Sequence, residues 1–121
     1  MNNQKIKPSW YAFVFQYNEN KSKIPINKFY QALRKEGLVE IDQPNSTCPL
    51  NLLPLFQQPQ KLFPIYQQHK FSYKKGDFPK AEKFYKNAIK IPIWTKIKDW
   101  SVMKLYIDGI EKVLKNITEL K

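Results

Sequence analysis

Several ingredients of common active sites are scarce in this sequence. It holds one cysteine, Cys48, and one histidine, His69. A lone cysteine excludes an intrachain disulfide and a CxxC pair for zinc or redox chemistry. His69 has no carboxylate three or four residues away, and a zinc or iron site needs three or four convergent ligands, so His69 reads as a surface residue. A nucleophilic Cys48, in Ser46-Thr47-Cys48-Pro49, would need His69 as its base, and nothing in the sequence brings the two together. The three glycines, Gly37, Gly76 and Gly109, form neither GxGxxG nor a P-loop. No apolar run approaches the roughly 20 residues that span a bilayer. Met1 to Ile6 is polar and lacks the apolar stretch of a signal peptide. A cytoplasmic protein with no membrane attachment is the expectation. Arginine is nearly missing too: Arg34 is the single one among 21 lysines and arginines, set against 10 acidic residues. A net charge of +11 would attract phosphates. The lysines are spread along the chain, however, and base readers lean on arginine's planar fork. The charge reads as a solubility feature, and nucleic-acid binding is the lesser alternative.

The apolar content is 42% and the aromatic content 15%, well above what a disordered chain carries. At 121 residues the expectation is one domain, 1–121, with one real core. Ser9 to Tyr17 predicts a strand, with Tyr11, Phe13 and Phe15 on one face and Trp10, Ala12 and Val14 on the other. Both faces are apolar, which predicts a central strand covered on both sides. Phe29, Tyr30 and Leu33 recur at helical spacing over Asn27–Glu36, and Gly37 is the natural stop. Leu38 to Asp42 alternates and predicts a second strand, with Val39 and Ile41 inward. Gln43 to Gln60 carries a proline every five residues and predicts a loop with one helical turn around Leu50 to Phe56. Asp77 then predicts an N-cap, with Pro79 in the first turn of a helix to about Ile89. Its inner face would be Ala81, Phe84, Tyr85, Ala88 and Ile89. Ile91 to Trp94 predicts a third strand, placed at an edge by Pro92. Asp99 predicts the cap of a final helix with Val102, Met103, Tyr106, Ile110, Val113, Leu114 and Ile117 inward. Gly109, in its middle, costs about 1 kcal/mol against alanine and points to a close contact. The expected fold class is α+β: a small three-stranded sheet with packed helices, in the order β-α-β-loop-α-β-α.

On the second predicted strand, Glu40 and Asp42 would share the face away from Val39 and Ile41. Two carboxylates there can serve as acid and base, or grip an amine or sugar hydroxyls; a solvated strand face among lysines is the plain alternative. Aromatics interleaved with lysine (Phe71, Tyr73, Phe84, Tyr85) suit base stacking, although their spacing is also that of core residues.

The run Tyr73-Lys74-Lys75-Gly76-Asp77-Phe78-Pro79-Lys80-Ala81-Glu82, carried on to Ile91-Pro92-Ile93-Trp94, resembles the end of the DegT/DnrJ/StrS sugar aminotransferases. Ser9-Trp10-Tyr11-Ala12-Phe13 is similar to the strand that opens their C-terminal small domain. Phe29 to Ile41 is similar to the helix and strand that follow it. Val39-Glu40-Ile41-Asp42, with Pro44, Ser46-Thr47 and Pro49-Leu50, resembles the branch that aminates scyllo-inosose and related cyclitols. The blocks run in order from about Ser9 to Ile117. The resemblance implies a small domain that closes the substrate side of a pyridoxal phosphate (PLP) active site. In that family the PLP lysine lies in a large domain upstream, and this sequence starts after it. The implied cofactor is therefore PLP held by a partner domain, none being bound by this chain alone, and no transamination is expected from the chain by itself. Carried over by position, Tyr11, Glu40, Asp42, Ser46 and Thr47 would line a sugar or cyclitol substrate; Tyr11 stands where many relatives have histidine. The implied partners are a separately encoded PLP large domain and, through an exposed apolar face, a second copy of the chain. A repurposed sugar- or protein-binding module is the alternative.

Overall fold

Asn18 opens the first described helix, α1 (Glu19–Ser22), its Oδ1 accepting from the Lys21 amide at 3.1 Å. Glu19 then reaches forward, its Oε1 accepting from the Ile26 amide at 2.8 Å, which satisfies a free donor at the start of α2 (Ile26–Lys35). Ile26, Phe29 and Leu33 are the buried residues of α2, spaced three and four apart as a core-facing stripe requires. Gly37 ends the helix at φ 92°. Its amide donates to Arg34 and the Leu38 amide donates to Leu33, at 3.0 and 3.2 Å, the pairing of a Schellman turn. Leu38 is thereby driven into the core.

The computed structural model describes residues 9–44, 47–68 and 72–121. They fall into two compact units, one running to Gln43 and resuming at Ile89, the other Pro44–Ala88. Six α-helices and two strands, β1 (Phe13–Gln16) and β2 (Ala88–Ile91), lie among the described residues. The strands form one antiparallel two-stranded sheet. The expected α+β character holds; three strands do not. In place of the second strand, residues 39–40 turn, and the pairing with β2 shrinks to one antiparallel bridge, Asp42 to Lys90. The cause is spacing. Leu38 and Ile41 both point inward, three residues apart, which a turn satisfies and an alternating strand cannot. Val39, expected inside, is exposed.

The last predicted strand is displaced toward the N-terminus. β2 occupies Ala88–Ile91 and stops before Pro92, which has no amide to give the ladder. The helix ahead of it, α5 (Pro79–Asn87), is correspondingly shorter than expected. Strand β1 also differs from the expectation of a strand covered on both faces. It lies at the sheet edge, with Phe13, Val14 and Gln16 exposed.

The core of the first unit gathers Tyr17, Ile26, Phe29, Leu33, Leu38, Ile41, Ile89, Tyr106 and Val113. The last two come from α6 (Trp100–Lys115). Asp99 stands at its N-cap position without a side-chain cap bond, because a 3₁₀ turn at Ile97–Asp99 already leads the backbone into the helix. Val102 and Leu114, assigned to the inner face of α6, are exposed. Gly109 has the contact its position suggested: a Cβ there would lie 2.5 Å from Leu38 Cδ1. Gly109→Ala should therefore lose stability although alanine favours helix by about 1 kcal/mol, since moving a buried leucine costs about 1–3 kcal/mol. A urea-denaturation midpoint above that of wild type would refute the packing account.

In the second unit Pro54, Pro59, Pro64 and Pro79 each start a turn of helix instead of preventing one. Pro54 and Pro59 open α3 (Pro54–Gln57) and α4 (Pro59–Leu62), and Pro64 opens a 3₁₀ turn, Pro64–Gln68. Proline fits the first helical position because the amide it lacks would be unpaired there. In α5, Ala81 and Phe84 are exposed, while Glu82 and Tyr85 are half-buried. No described helix is long and apolar enough to cross a membrane.

Candidate functional site

The Schellman turn after α2 and the single bridge at Asp42 together place charged side chains around one hollow. An open groove of about 470 Å³ is lined by Tyr11, Arg34, Glu40, Asp42 and Lys90, among others. Asp42 and Lys90 exchange both backbone hydrogen bonds, at 2.7 and 2.8 Å. That close pairing brings their side chains together, Lys90 Nζ lying 3.3 Å from Asp42 Oδ2. The same ammonium stands 5.5 Å from the centre of the Tyr11 ring, within cation–π range. Tyr11 is otherwise open to solvent, 86% exposed.

Arg34 forms another part of the groove lining. Its Nη1 donates to the Val39 carbonyl at 3.0 Å and, at 3.4 Å, to the Tyr30 hydroxyl. Tyr30 in turn donates to the Ile41 carbonyl at 3.2 Å. The Glu40 amide donates to the Tyr106 hydroxyl at 3.0 Å, so the backbone carrying Glu40 is pinned to α6. The turn is thus held from both sides, while the Glu40 side chain is left exposed on the groove wall.

Of the five residues expected to line a site, the groove brings together Tyr11, Glu40 and Asp42. Glu40 and Asp42 arrive there through a turn rather than by alternation on a strand. Thr47 belongs to the second unit, where its hydroxyl and amide both donate to the Pro44 carbonyl. Ser46 lies outside the described residues, as do His69 and Phe71. Cys48 is half-buried. Arg34 and Lys90 were not singled out by sequence reasoning. For Arg34 a signal existed, as the one arginine in a lysine-rich chain.

An exposed carboxylate, an aromatic face and a fixed cation suit a ligand rich in hydroxyl groups. Among the described residues no cluster of histidine, cysteine and carboxylates could hold a metal. A family model now bears on the matter: that of the DegT/DnrJ/EryC1/StrS aminotransferases matches residues 6–106. The chain belongs to this aminotransferase family. It is 32% identical over 109 residues to uncharacterized protein MJ1066 of Methanocaldococcus jannaschii, covering 90% of this chain and 24% of that protein. It is 25% identical over 107 residues to the spore coat polysaccharide biosynthesis protein SpsC of Bacillus subtilis, covering 88% of this chain and 24% of SpsC. The chain thus spans about a quarter of the length of the curated relatives it matches. No solved structure matches it.

Aminotransferases of this family use PLP in general, so the groove can be tested for it. PLP needs a lysine amine free to bond its aldehyde and a separate carboxylate facing the pyridine nitrogen. Among the described residues Lys90 is the one lysine lining the groove, and it is paired with Asp42. Lysine and aspartate are thus committed to each other, and the groove opens to water. These residues do not fit PLP.

Proposed function

We propose that this chain acts as the C-terminal small domain of a PLP-dependent sugar or cyclitol aminotransferase. Its groove forms the substrate-side wall of an active site whose cofactor is held by a large domain outside these 121 residues. The observation that carries the reading is the convergence of Tyr11, Glu40 and Asp42 on one groove in a chain of this family. The name of SpsC, a polysaccharide biosynthesis protein, supports a sugar as the class of substrate.

The roles follow from the surroundings of each group. Glu40, with its backbone pinned by Tyr106 and its carboxylate exposed, accepts hydrogen bonds from ligand hydroxyls. Tyr11 offers an open aromatic face on which the apolar side of a sugar ring can lie. Asp42, neutralised by Lys90, holds the wall in register and leaves a polar rather than a charged surface. Nothing in this set bonds covalently to substrate. When PLP is bound in the large domain it supplies the electron sink for amino transfer; this chain positions the ring and excludes water. Work in the cytoplasm accords with this reading.

Glu40→Gln tests it in the assembled enzyme. Loss of a charged acceptor costs about 1.5–3 kcal/mol, so kcat/KM for the sugar should fall about 10- to 100-fold. The visible absorbance of bound PLP should be unchanged. If Glu40→Gln and Tyr11→Ala both turn over sugar like wild type, the groove does not face the substrate.

A further inference from the structure

Glu40 meets the groove from a turn with few hydrogen bonds of its own. The Val39 amide donates to the Gly37 carbonyl at 2.9 Å and the Ile41 amide to the Leu38 carbonyl at 3.4 Å. The peptide unit between them, joining Val39 to Glu40, takes no backbone partner among the described residues. Side chains grip it instead, one at each end. Arg34 Nη1 donates to its carbonyl at 3.0 Å, and its amide donates to the Tyr106 hydroxyl at 3.0 Å. In a trans peptide the carbonyl and the amide point in opposite directions from one rigid plane. Arg34 on α2 and Tyr106 on α6 therefore hold opposite sides of that plane. A plane held at both ends cannot flip, and the Glu40 Cα, one of its six atoms, is fixed with it.

Both grips are themselves anchored. Tyr106 is buried in the core that also holds Leu38 and Ile41, and its ring meets Trp94 edge-on, with centroids 4.7 Å apart and planes at 61°. A buried tyrosine hydroxyl usually finds a polar partner, and this one takes its bond from a residue 66 positions earlier in the chain. The Arg34 guanidinium rests against Tyr30, 5.9 Å from the ring centre, and shares Nη1 with the Tyr30 hydroxyl. Asp42, the other groove carboxylate, needs no such support, being set by its backbone bridge and its ion pair with Lys90. The clamp thus serves Glu40 in particular. Arg34 also lines the groove, whereas Tyr106 does not, so Tyr106 can act on a ligand only through the residue it holds. Resting on the function proposed above, we propose that Tyr106 is a positioning residue for substrate recognition. Opposed by Arg34, it clamps the Val39–Glu40 peptide and keeps the Glu40 carboxylate at one point of the groove wall, where ligand hydroxyls meet it.

The test is a double-mutant cycle in the assembled enzyme, with scyllo-inosose as the cyclitol probe and a nucleotide-linked ketohexose as the sugar probe. Tyr106→Phe keeps the ring against Trp94 and removes only the hydroxyl. Its kcat/KM should fall about tenfold, with the visible absorbance of bound PLP unchanged. In a Glu40→Ala background the same substitution should cost less than about twofold, because the group it positions is gone. Amide hydrogen exchange on the full chain gives the second readout. The Glu40 amide should lose protection in Tyr106→Phe, and the Asp42 amide, bonded to the Lys90 carbonyl at 2.8 Å, should keep it. A cost that recurs undiminished in Glu40→Ala, or protection lost at Asp42 as well, would make Tyr106 a general support of the wall and overturn the inference. Tyr106→Phe turning over like wild type while Glu40→Ala is impaired would also overturn it, and the proposed function would stand. Wild-type turnover by Glu40→Ala, or amination of neither probe by the wild type, would overturn the proposed function and the inference together.

Discussion

Phe29→Ala is expected to lower the unfolding free energy of the first unit by about 3–5 kcal/mol. Phe29 is among the largest fully buried side chains. Its ring stacks on Tyr17 with centroids 4.5 Å apart and planes 11° from parallel, an arrangement that adds about 0.5–1.5 kcal/mol to area burial. Tyr17 cannot slide into the space that alanine leaves. Its hydroxyl is tied to Ser22 Oγ at 2.7 Å and to the Ile24 carbonyl at 3.1 Å, so the ring stays where the α1 turn holds it and a cavity remains. Natural domains are stable by about 5–15 kcal/mol, and the loss is therefore a large share of the total. Near-ultraviolet circular dichroism through a urea titration gives the measurement. A change below about 1 kcal/mol would mean that the core closes around the gap, and that the Tyr17–Phe29 stack is not a fixed element of it.

Phe29 also shows what the sequence made legible and where legibility stopped. Helix α2 was readable because its signals agree: apolar spacing at Phe29 and Leu33, a glycine stop, and no competing turn residue inside. The segment after it was not, because Leu38-Val39-Glu40-Ile41 satisfies alternation on paper. What decided its shape was the Schellman turn at Gly37, which spends Leu38 on capping the helix. At the end of α5, Ala88 and Ile89 were assigned to a helix face and are instead buried strand residues; two apolar residues at a junction fit either period. The groove was half legible. Glu40 and Asp42 were found by a strand argument that does not hold, and reached the same wall by another route. Lys90 was not findable, since its place depends on a cross-strand partner 48 positions away, at Asp42. The faces of β1 were readable as apolar and their exposure was not, because alternation within the run does not distinguish an edge strand from a covered one.

The second large effect is expected in the other unit, at a polar hub that sequence reasoning missed altogether. Asn51 is buried, and its Nδ2 donates to the Lys74 carbonyl at 3.1 Å and to Glu82 Oε1 at 2.7 Å. Glu82 spends the rest of its carboxylate on the Gly76 amide, at 2.8 and 3.0 Å, and on the Phe78 amide at 3.5 Å. Together with Asp77, whose Oδ2 accepts from the Lys74 amide at 2.7 Å, this side chain braces the Lys74–Asp77 turn, where Gly76 takes φ 100°, and fastens it to the first turn of α5. The Gly76 amide in particular holds the Glu82 carboxyl below its ordinary value, aided by Asn51, while partial burial works the other way. Asn51→Ala removes two donated bonds and leaves the Lys74 carbonyl without this partner, so about 1–3 kcal/mol should be lost. The pH dependence follows from the direction of the Glu82 shift. A carboxyl whose folded value is depressed stabilises the fold above its unfolded value, and that contribution disappears as pH falls through the folded value. Acid should therefore loosen this turn first. Amide hydrogen exchange read at Gly76 and Phe78 makes the check: both should lose protection in Asn51→Ala at neutral pH, and in wild type only as Glu82 protonates. In Glu82→Gln the acid-dependent part of that loss should vanish. Were the Gly76 amide to exchange alike in wild type and Glu82→Gln across the acid range, the carboxylate would not be what closes the turn, and α5 would owe its start to Pro79 alone.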